Sequence, residues 1–217
     1  MQVVGGDGSQ TRGGNLMFIQ VITGKVTDAE SFRRMGESWN ADVRPGAIGF
    51  LGSTEGTTAD GRFVVMARFE SKDAAAKNND RPEQGEWYSK FESTVSDVQF
   101  HDCSTVFTMG GGGSDDAGFV QVMVGKVKDR AKFDALNDRL DEVEAAFKEW
   151  RDDVLGDVMA VHDDGSGFHD FIYFTSEAEA REGEKKDPPA EVVAIMGEME
   201  TATDIVEYLD LTDVMFT

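Results

Sequence analysis

Three consecutive residues, His101, Asp102 and Cys103, have the side-chain types that serve as bases and nucleophiles in enzymes. They lie in a run of strand-forming residues, where alternation sends His101 and Cys103 to one face and Asp102 to the other. The three therefore cannot form a catalytic triad by themselves. His101 could act alone as a general base because its charge changes near neutral pH, although a hydrogen-bonded or exposed strand histidine is the plainer interpretation. Cys103, the only cysteine, is expected to be a small buried side chain.

Two further histidines, His162 and His169, flank a predicted hairpin whose turn contains Asp164-Gly165. A hairpin could bring two imidazoles and a carboxylate within reach of a metal ion. Asp and Gly at a hairpin tip are also ordinary turn residues. The turn interpretation is preferred, and no metal site is predicted.

Aromatic residues of the first half of the chain could line a pocket for a small aromatic ligand. Trp87 and Tyr88 lie just inside the second predicted helix, and Trp39 lies in the first. Aromatic residues at helical spacing also pack against sheets, so a core role is the alternative. Because the second half has Glu191–Val193 in the stretch that corresponds to Trp87 and Tyr88, the larger cavity is expected in the first half, between helix and sheet.

Gln20 and Gln121 occupy the same position in two strands that are otherwise apolar. A polar group in a covered strand must find a hydrogen-bond partner or water. Two arrangements would provide one. The two amides could pair near a pseudo-twofold axis, or they could line two related ligand cavities.

The elements that must position these side chains occur twice in the chain. Phe18–Phe32 (FIQVITGKVTDAESF) and Phe119–Phe133 (FVQVMVGKVKDRAKF) are identical at eight of fifteen positions. Later pairs of segments match in the same order: Arg62–Phe69 with Gly167–Phe174, and Phe100–Thr108 with Leu209–Thr217. The chain is therefore predicted to be a tandem duplication.

The repeat sets the predicted domain boundaries. Residues 1–15 are predicted to form a flexible N-terminal arm and residues 16–109 the first domain. Residues 110–117, rich in glycine, form a linker, and residues 118–217 form the second domain.

Each half shows a fixed order of periodicities that predicts one fold. A strand that is apolar on both faces is followed by a helix, a strand hairpin, a second helix and a last strand. Asp28 and Asp129 stand at the N-cap of the first helix. The order β-α-β-β-α-β predicts an α+β protein of two ferredoxin-like units. Since each antiparallel sheet has helices on one face only, the two sheets are expected to cover each other as an intramolecular dimeric α+β barrel.

Several segments resemble the antibiotic-biosynthesis-monooxygenase family. They are Gly24-Lys25-Val26 with the N-cap Asp28, Phe69–Ala75 (FESKDAA), Arg81–Phe91 (RPEQGEWYSKF) and Phe100–Ser104 (FHDCS). The resemblance implies ligand sites between helices and sheet, and for some members oxygenation of quinols or anthrones without metal or flavin. Other members degrade haem.

The residues that the resemblance marks as catalytic are replaced here. Anthrone-type members have an Asn and a Trp four residues apart on the third strand, where this chain has Val65 and Phe69, and Asp170 and Phe174. Haem-degrading members have an Asn on the first strand and a Trp and a His on the second helix. The second helix here offers Trp87 and Tyr88 without a nearby His.

Composition excludes some classes of partner. The 217 residues include 42 acidic and 21 basic ones, and a net charge of -21 repels nucleic acid and anionic membranes. No run approaches the roughly 18 apolar residues of a membrane-spanning helix. Residues 1–15 lack the pattern of a secretory signal. The expected protein is cytoplasmic, a monomeric pseudo-dimer able to dimerise further.

Three functions remain open from the sequence, of which the third is a stress-related or structural protein. The first is a cofactor-free monooxygenase acting on a small aromatic or quinone-like compound. Its candidate catalytic residue is His101, and its candidate ligand-binding residues are Trp87, Tyr88, Gln20, Trp39 and Gln121. The second is a non-catalytic small-ligand-binding or sensor protein with a degenerate site.

Overall fold

The structure, a computed structural model, describes residues 17–217. The predicted N-terminal arm, residues 1–15, lies outside the described residues. Within the described range the chain forms nine strands and seven α-helices. None of these helices combines the length and apolar character that crossing a membrane requires.

The elements follow the predicted order in both halves. The first half contains β1 (Phe18–Val26), α1 (Ala29–Ser38), β2 (Phe50–Thr57), β3 (Arg62–Phe69), α2 (Lys72–Asn79), α3 (Pro82–Phe91), β4 (Val95–Cys103) and β5 (Thr105–Met109). The second half contains β6 (Phe119–Val127), α4 (Arg130–Asn137), α5 (Leu140–Trp150), β7 (Val154–Val161), β8 (Phe168–Phe174), α6 (Glu177–Gly183), α7 (Ala190–Ala202) and β9 (Thr203–Phe216). A π-helical turn, Trp39–Val43, and a 3-10 turn, Arg44–Gly46, extend α1.

The two predicted N-caps are confirmed. The Asp28 carboxylate accepts a hydrogen bond from the backbone N–H of Ser31 at 3.1 Å, and Asp129 accepts one from Lys132 at 3.2 Å. Each bond satisfies an N–H that the first helical turn leaves unpaired. The repeated Asp therefore starts the same helix at the same place in both halves.

One predicted helix is divided. The apolar stripe from Phe133 to Trp150 predicted a single helix, but the structure has α4 and α5 with a break at Arg139, whose backbone leaves the helical region (φ -109°, ψ 23°). The Arg139 guanidinium contacts Glu142 on α5 and Glu198 on α7, each at 3.0 Å. The stripe still faces the sheet because Phe133 on α4 and Val143 on α5 are both buried.

The strands close into a barrel by exchanging their ends. The order of strands is β4-β1-β3-β2-β9-β6-β8-β7-β5, and every neighbouring pair is antiparallel. After β4, the chain crosses to the other half, where β5 pairs with β7. The end of β9 crosses in the opposite direction and pairs with β2. The predicted intramolecular α+β barrel of two ferredoxin-like units is confirmed, and each half completes the sheet of the other.

The barrel interior explains why the strands are apolar on both faces. Its core draws side chains from both halves: Ile19, Val21, Val64, Met66 and Cys103 from the first, and Val120, Val122, Val158, Ala160, Phe171, Tyr173, Leu209 and Leu211 from the second. Burying one such aliphatic or aromatic side chain contributes about 1.5–3 kcal/mol. A second layer of apolar side chains lies between each sheet and its own helices.

The glycine-rich segment between the halves packs closely against the start of β7. Gly110, Gly111 and Gly112 have positive φ angles, which glycine adopts without strain. A Cβ added to Gly156 would lie 2.3 Å from the carbonyl oxygen of Gly112 and 2.8 Å from that of Met109. The approach of the two backbones therefore requires glycine at position 156.

We expect Gly156→Ala to lower the free energy of unfolding by about 2 kcal/mol or more, because backbone must move to make room. The matched control is Gly197→Ala in α7, where an added Cβ meets nothing within 4 Å. This control should raise stability by up to about 1 kcal/mol through helix propensity. Urea unfolding of both variants measures the difference. Equal effects would show that the contact of the glycine segment with β7 is not close.

Candidate functional site

A cavity of about 480 Å³ lies between the helices and the sheet of the first half. This is the half in which the sequence predicted an aromatic pocket. The aromatic residues of its wall are Phe32, Trp39, Phe50, Phe63, Phe69, Trp87, Tyr88, Phe91 and Phe100. Met215, on the exchanged end of β9, also lines it, so the second half closes one side. Phe100 is 47% exposed, and the wall therefore meets solvent beside β4.

The three predicted aromatic residues form the helical side of this cavity. Trp87 stacks on Phe91 with ring centroids 4.9 Å apart, and its indole N–H donates to the backbone oxygen of Met35 at 2.9 Å. The Trp39 indole N–H donates to Oε1 of Gln84 at 3.0 Å. These contacts hold the rings in the wall, and the space between them and the sheet stays open.

The sheet contributes a carboxyl group that the sequence analysis missed. Glu55 lies on β2, opposite Val65 of β3 and Met215 of β9, and lines the cavity. Burial raises the pKa of its carboxyl from 4.5 to about 7. Among residues 17–217 it has no hydrogen-bond or ion-pair partner. No clear signal marked it in the sequence, because one acidic residue at the end of a predicted strand does not show whether its side chain is buried.

Gln20 and Gln121 do not pair with each other. Gln20 lines the cavity, and its amide nitrogen donates to Asp102 at 3.2 Å. Gln121 donates in the same way to Asp210 at 2.8 Å, and it does not line this cavity. The strand register pairs Gln20 with Asp102 and Gln121 with Asp210. Asp102 therefore corresponds to Asp210, and the alignment of the last strands made from sequence is wrong by one residue.

The equivalent space in the second half carries different side chains. The register equates Ser53 with Asp157, Glu55 with Met159, Val65 with Asp170 and Ala67 with Ile172. Met159 and Ile172 pack against the core of the second half. The two halves therefore share a scaffold but differ in the residues that face the helices.

Asp157 and Asp170 are buried in this layer of the second half. Burial raises the pKa of Asp157 to about 7, and burial together with the nearby Asp157 raises the pKa of Asp170 well above 3.8. Asp157 accepts a hydrogen bond from the backbone N–H of Met109 at 3.1 Å. Oδ1 of Asp170 has no partner. These carboxyls lie in the half opposite to the aromatic cavity.

His101 is not in the cavity. It lies on the other face of β4, where its ring stacks on His162 with centroids 4.1 Å apart and planes 12° apart. Nε2 of His162 is 2.9 Å from Nδ1 of His169. All three histidines of the chain thus form one cluster across the two halves, a grouping that spacing along the sequence did not reveal. Within the described part of the chain, no group of three or more His, Cys, Asp or Glu side chains is arranged to hold a metal.

Cys103 is fully buried in the barrel core, as expected from sequence. Burial raises the pKa of its thiol to about 12. The thiol therefore stays protonated at neutral pH and is a poor nucleophile.

Comparison with known proteins finds similarity at the level of structure. No protein-family model matches the sequence, and no curated protein matches it. A "putative monooxygenase" of Fusobacterium nucleatum superposes with a TM-score of 0.72 at 9% identity, covering 93% of this chain and 94% of its own. A "putative monooxygenase" of Lactobacillus acidophilus gives 0.68 at 12% identity, covering 91% and 93%. A solved structure described as an anthrone oxidase-like protein gives 0.66 at 13% identity, covering 94% of each chain.

These superpositions extend over nearly the whole length of both chains, so the tandem arrangement itself is shared. At identities of 9% to 13% the structural likeness establishes the fold and does not establish the chemistry. The chain has the fold of these solved structures, a tandem α+β barrel of two ferredoxin-like units.

Proposed function

We propose that the first-half cavity binds a small planar aromatic or quinone-like molecule and that Glu55 is the base in its cofactor-free oxygenation. The observation that carries the proposal is an unpaired carboxyl, with a pKa raised to about 7, in a cavity walled by aromatic side chains. A general base works best when its pKa is near the working pH. Glu55 replaces His101 as the candidate base, because His101 lies on the other face of the sheet.

The proposed reaction balances with oxygen as the only co-substrate. The Glu55 carboxylate takes a proton from an activated methylene group beside the aromatic rings, and the resulting carbanion passes electrons to molecular oxygen. A carbon–oxygen bond forms, the oxygen–oxygen bond breaks, and the second oxygen atom leaves as water, so that the methylene group and molecular oxygen give a ketone and water. The substrate supplies all the electrons. The description of one structural neighbour as anthrone oxidase-like supports this class of substrate by analogy.

Filling the cavity tests the proposal. Ala67 lines the cavity where the second half has Ile172. We expect Ala67→Ile to weaken binding of 1-naphthol about tenfold or more, because the added carbons occupy the space of the second ring. Phenol, which is smaller, should lose less. Quenching of tryptophan fluorescence measures both affinities, since Trp39 and Trp87 lie in the wall. If 1-naphthol binds the variant and the wild type equally, the ligand site is elsewhere.

A second candidate function is ligand binding without chemistry. It is favoured by Val65 and Phe69, which line the cavity at the positions where the resembling anthrone-type enzymes have Asn and Trp. Oxygen uptake in the presence of anthrone, which has an activated methylene group, distinguishes the two functions. Binding without oxygen uptake would support the sensor or carrier function.

The cellular setting is also a proposal. A cytoplasmic location is supported by the single cysteine, which is buried and unpaired. Further dimerisation of the fused pair stays a prediction, which sedimentation of the purified protein tests.

A further inference from the structure

Each half of the protein contains the same set of three polar side chains, a Gln, an Asp and a cation. In the first half the Gln20 amide donates to Oδ1 of Asp102 at 3.2 Å, and Nζ of Lys72 lies 3.1 Å from Oδ2 of the same carboxylate. In the second half Gln121 donates to Oδ1 of Asp210, and Arg181 contacts Oδ2. Only the Gln of the first set lines the aromatic cavity.

The carboxylate decides which way the Gln20 amide faces. An ionised carboxylate only accepts hydrogen bonds, so the NH2 group of the amide must be the part that meets Asp102. Lys72 contacts Asp102 and is held in place by a second carboxylate, Asp163, at 3.0 Å. Asp102 is not part of the cavity wall, so the amide nitrogen points away from the cavity. The carbonyl oxygen, on the other side of the same planar group, is left to face the cavity.

On the helical side of the cavity, a hydrogen-bond donor faces the ligand space, in contrast to the Gln20 acceptor on the sheet side. Oε1 of Gln84 accepts the Trp39 indole N–H, so the Gln84 amide nitrogen is the donor available to a ligand. The sheet side thus offers a fixed acceptor, Gln20, and the helical side offers a donor. A neutral aromatic ligand would have to present its polar groups in the matching order.

We propose that Gln20 is a specificity-determining residue that selects aromatic ligands carrying a hydroxyl or N–H donor on the edge facing β1, and that Asp102 with Lys72 are its positioning residues. The proposal rests on the proposed function, because it assumes that the cavity is the aromatic site. Gln20 also fixes the orientation of the bound ligand. The donor group meets Gln20, and any acceptor group of the ligand meets Gln84.

The test compares 1-naphthol with 1-methoxynaphthalene, which has the same rings but no donor. The wild type is expected to bind 1-naphthol about tenfold more tightly, the value of one hydrogen bond to an otherwise unpaired acceptor. In Gln20→Met the ratio of the two affinities should fall close to one, because Met fills similar space and its thioether sulfur is only a weak acceptor. In Asp102→Asn the amide can turn over, since Asn both donates and accepts, and the ratio should fall severalfold.

The duplication provides matched controls. Gln121→Met and Asp210→Asn make the same changes in the second half, outside the cavity, and should leave the tenfold ratio unchanged. A ratio that survives Gln20→Met, or that falls equally in Gln121→Met, overturns the assignment of Gln20. Equal binding of both probes to the wild type overturns this inference alone. Binding of neither probe to the wild type overturns the proposed function, and the inference with it.

Discussion

Replacing Glu55 by Gln is expected to lower the rate of oxygen uptake with anthrone by about 10²- to 10⁴-fold, the usual contribution of a general base. The amide keeps the shape of the carboxyl but cannot accept the substrate proton. Affinity for 1-naphthol, measured by tryptophan fluorescence, should change little, because the aromatic walls carry most of the binding. The substitution is therefore expected to lower the turnover rate and to leave the affinity for the ligand nearly unchanged.

The same substitution should make the fold more stable above neutral pH. The Glu55 pKa is about 7 in the folded protein, against an ordinary value of 4.5. Between these values the folded state binds more protons than the unfolded state, so the contribution of Glu55 to stability falls as pH rises from about 4.5 through 7. Oxygen uptake by the wild type should rise over the upper part of that range as the base ionises. Glu55→Gln removes both trends.

Asp170→Asn is the control for the general effect of neutralising a buried carboxyl. Asp170 has a raised pKa, but it lies in the second half, outside the aromatic cavity. This variant should gain stability at high pH and retain oxygen uptake. Equal loss of activity in Asp170→Asn and Glu55→Gln would show that the chemistry depends on the fold as a whole. Full activity in Glu55→Gln would assign the base to another group.

Much of the fold could be predicted from sequence because the duplication repeats each strand pattern and helix N-cap in both halves. The strand Phe18–Val26 and its copy, Phe119–Val127, share their apolar faces, and Asp28 and Asp129 cap the helices that follow. Apolar character on both faces of a strand requires two covering layers, which predicted the barrel.

The exchange of strand ends could not be predicted in the same way. β9 is one continuous strand from Thr203 to Phe216, although its first part pairs with β6 and its last part with β2. Alternation reports which face a residue lies on and says nothing about which strand is its neighbour. For the same reason, the one-residue shift between the two last strands became visible only through hydrogen-bond register.

The candidate site was predictable in part. The aromatic wall follows from residue type and helical spacing, which placed Trp87 and Tyr88 between helix and sheet. Glu55 was not selected because a single acidic residue in a strand does not show whether it is buried or paired. The histidine cluster joins His101 to the distant pair His162 and His169, and only the closure of the barrel brings them together.

Acid is expected to destabilise the protein through this cluster, and through His169 above all. His169 is 4% exposed, and burial together with His162 and His101 lowers its pKa from 6.5 to about 3. Asp164, the carboxylate near the cluster, favours the charged forms of His101 and His162, whereas no acidic group acts on His169 in this way. A proton on His169 would be a buried charge between two other imidazoles.

The sign of the effect follows from where the proton binds. Between pH 3 and 6.5 His169 binds a proton in the unfolded state and stays neutral in the folded state. The contribution of His169 to stability is therefore lost as pH falls below about 6.5. The slope is at most about 1.4 kcal/mol per pH unit for one group. Glu55, Asp157 and Asp170 have raised pKa values and act in the opposite direction. The dependence of total stability on pH therefore does not show the contribution of His169 separately. A variant is needed to measure it.

His169→Gln isolates this contribution. At pH 7 the variant should be less stable by about 1–3 kcal/mol, because His162 loses its hydrogen-bond partner in a buried site. As pH falls from 6.5 to 4.5 the deficit should shrink by about 2 kcal/mol and can change sign, since glutamine binds no proton. The matched control is His101→Gln, at a more exposed ring whose lowered pKa is partly offset by Asp164. Its deficit should vary less with pH. Urea unfolding at several pH values measures both variants, and a deficit in His169→Gln that stays constant from pH 6.5 to 4.5 would mean that His169 is protonated in the folded protein.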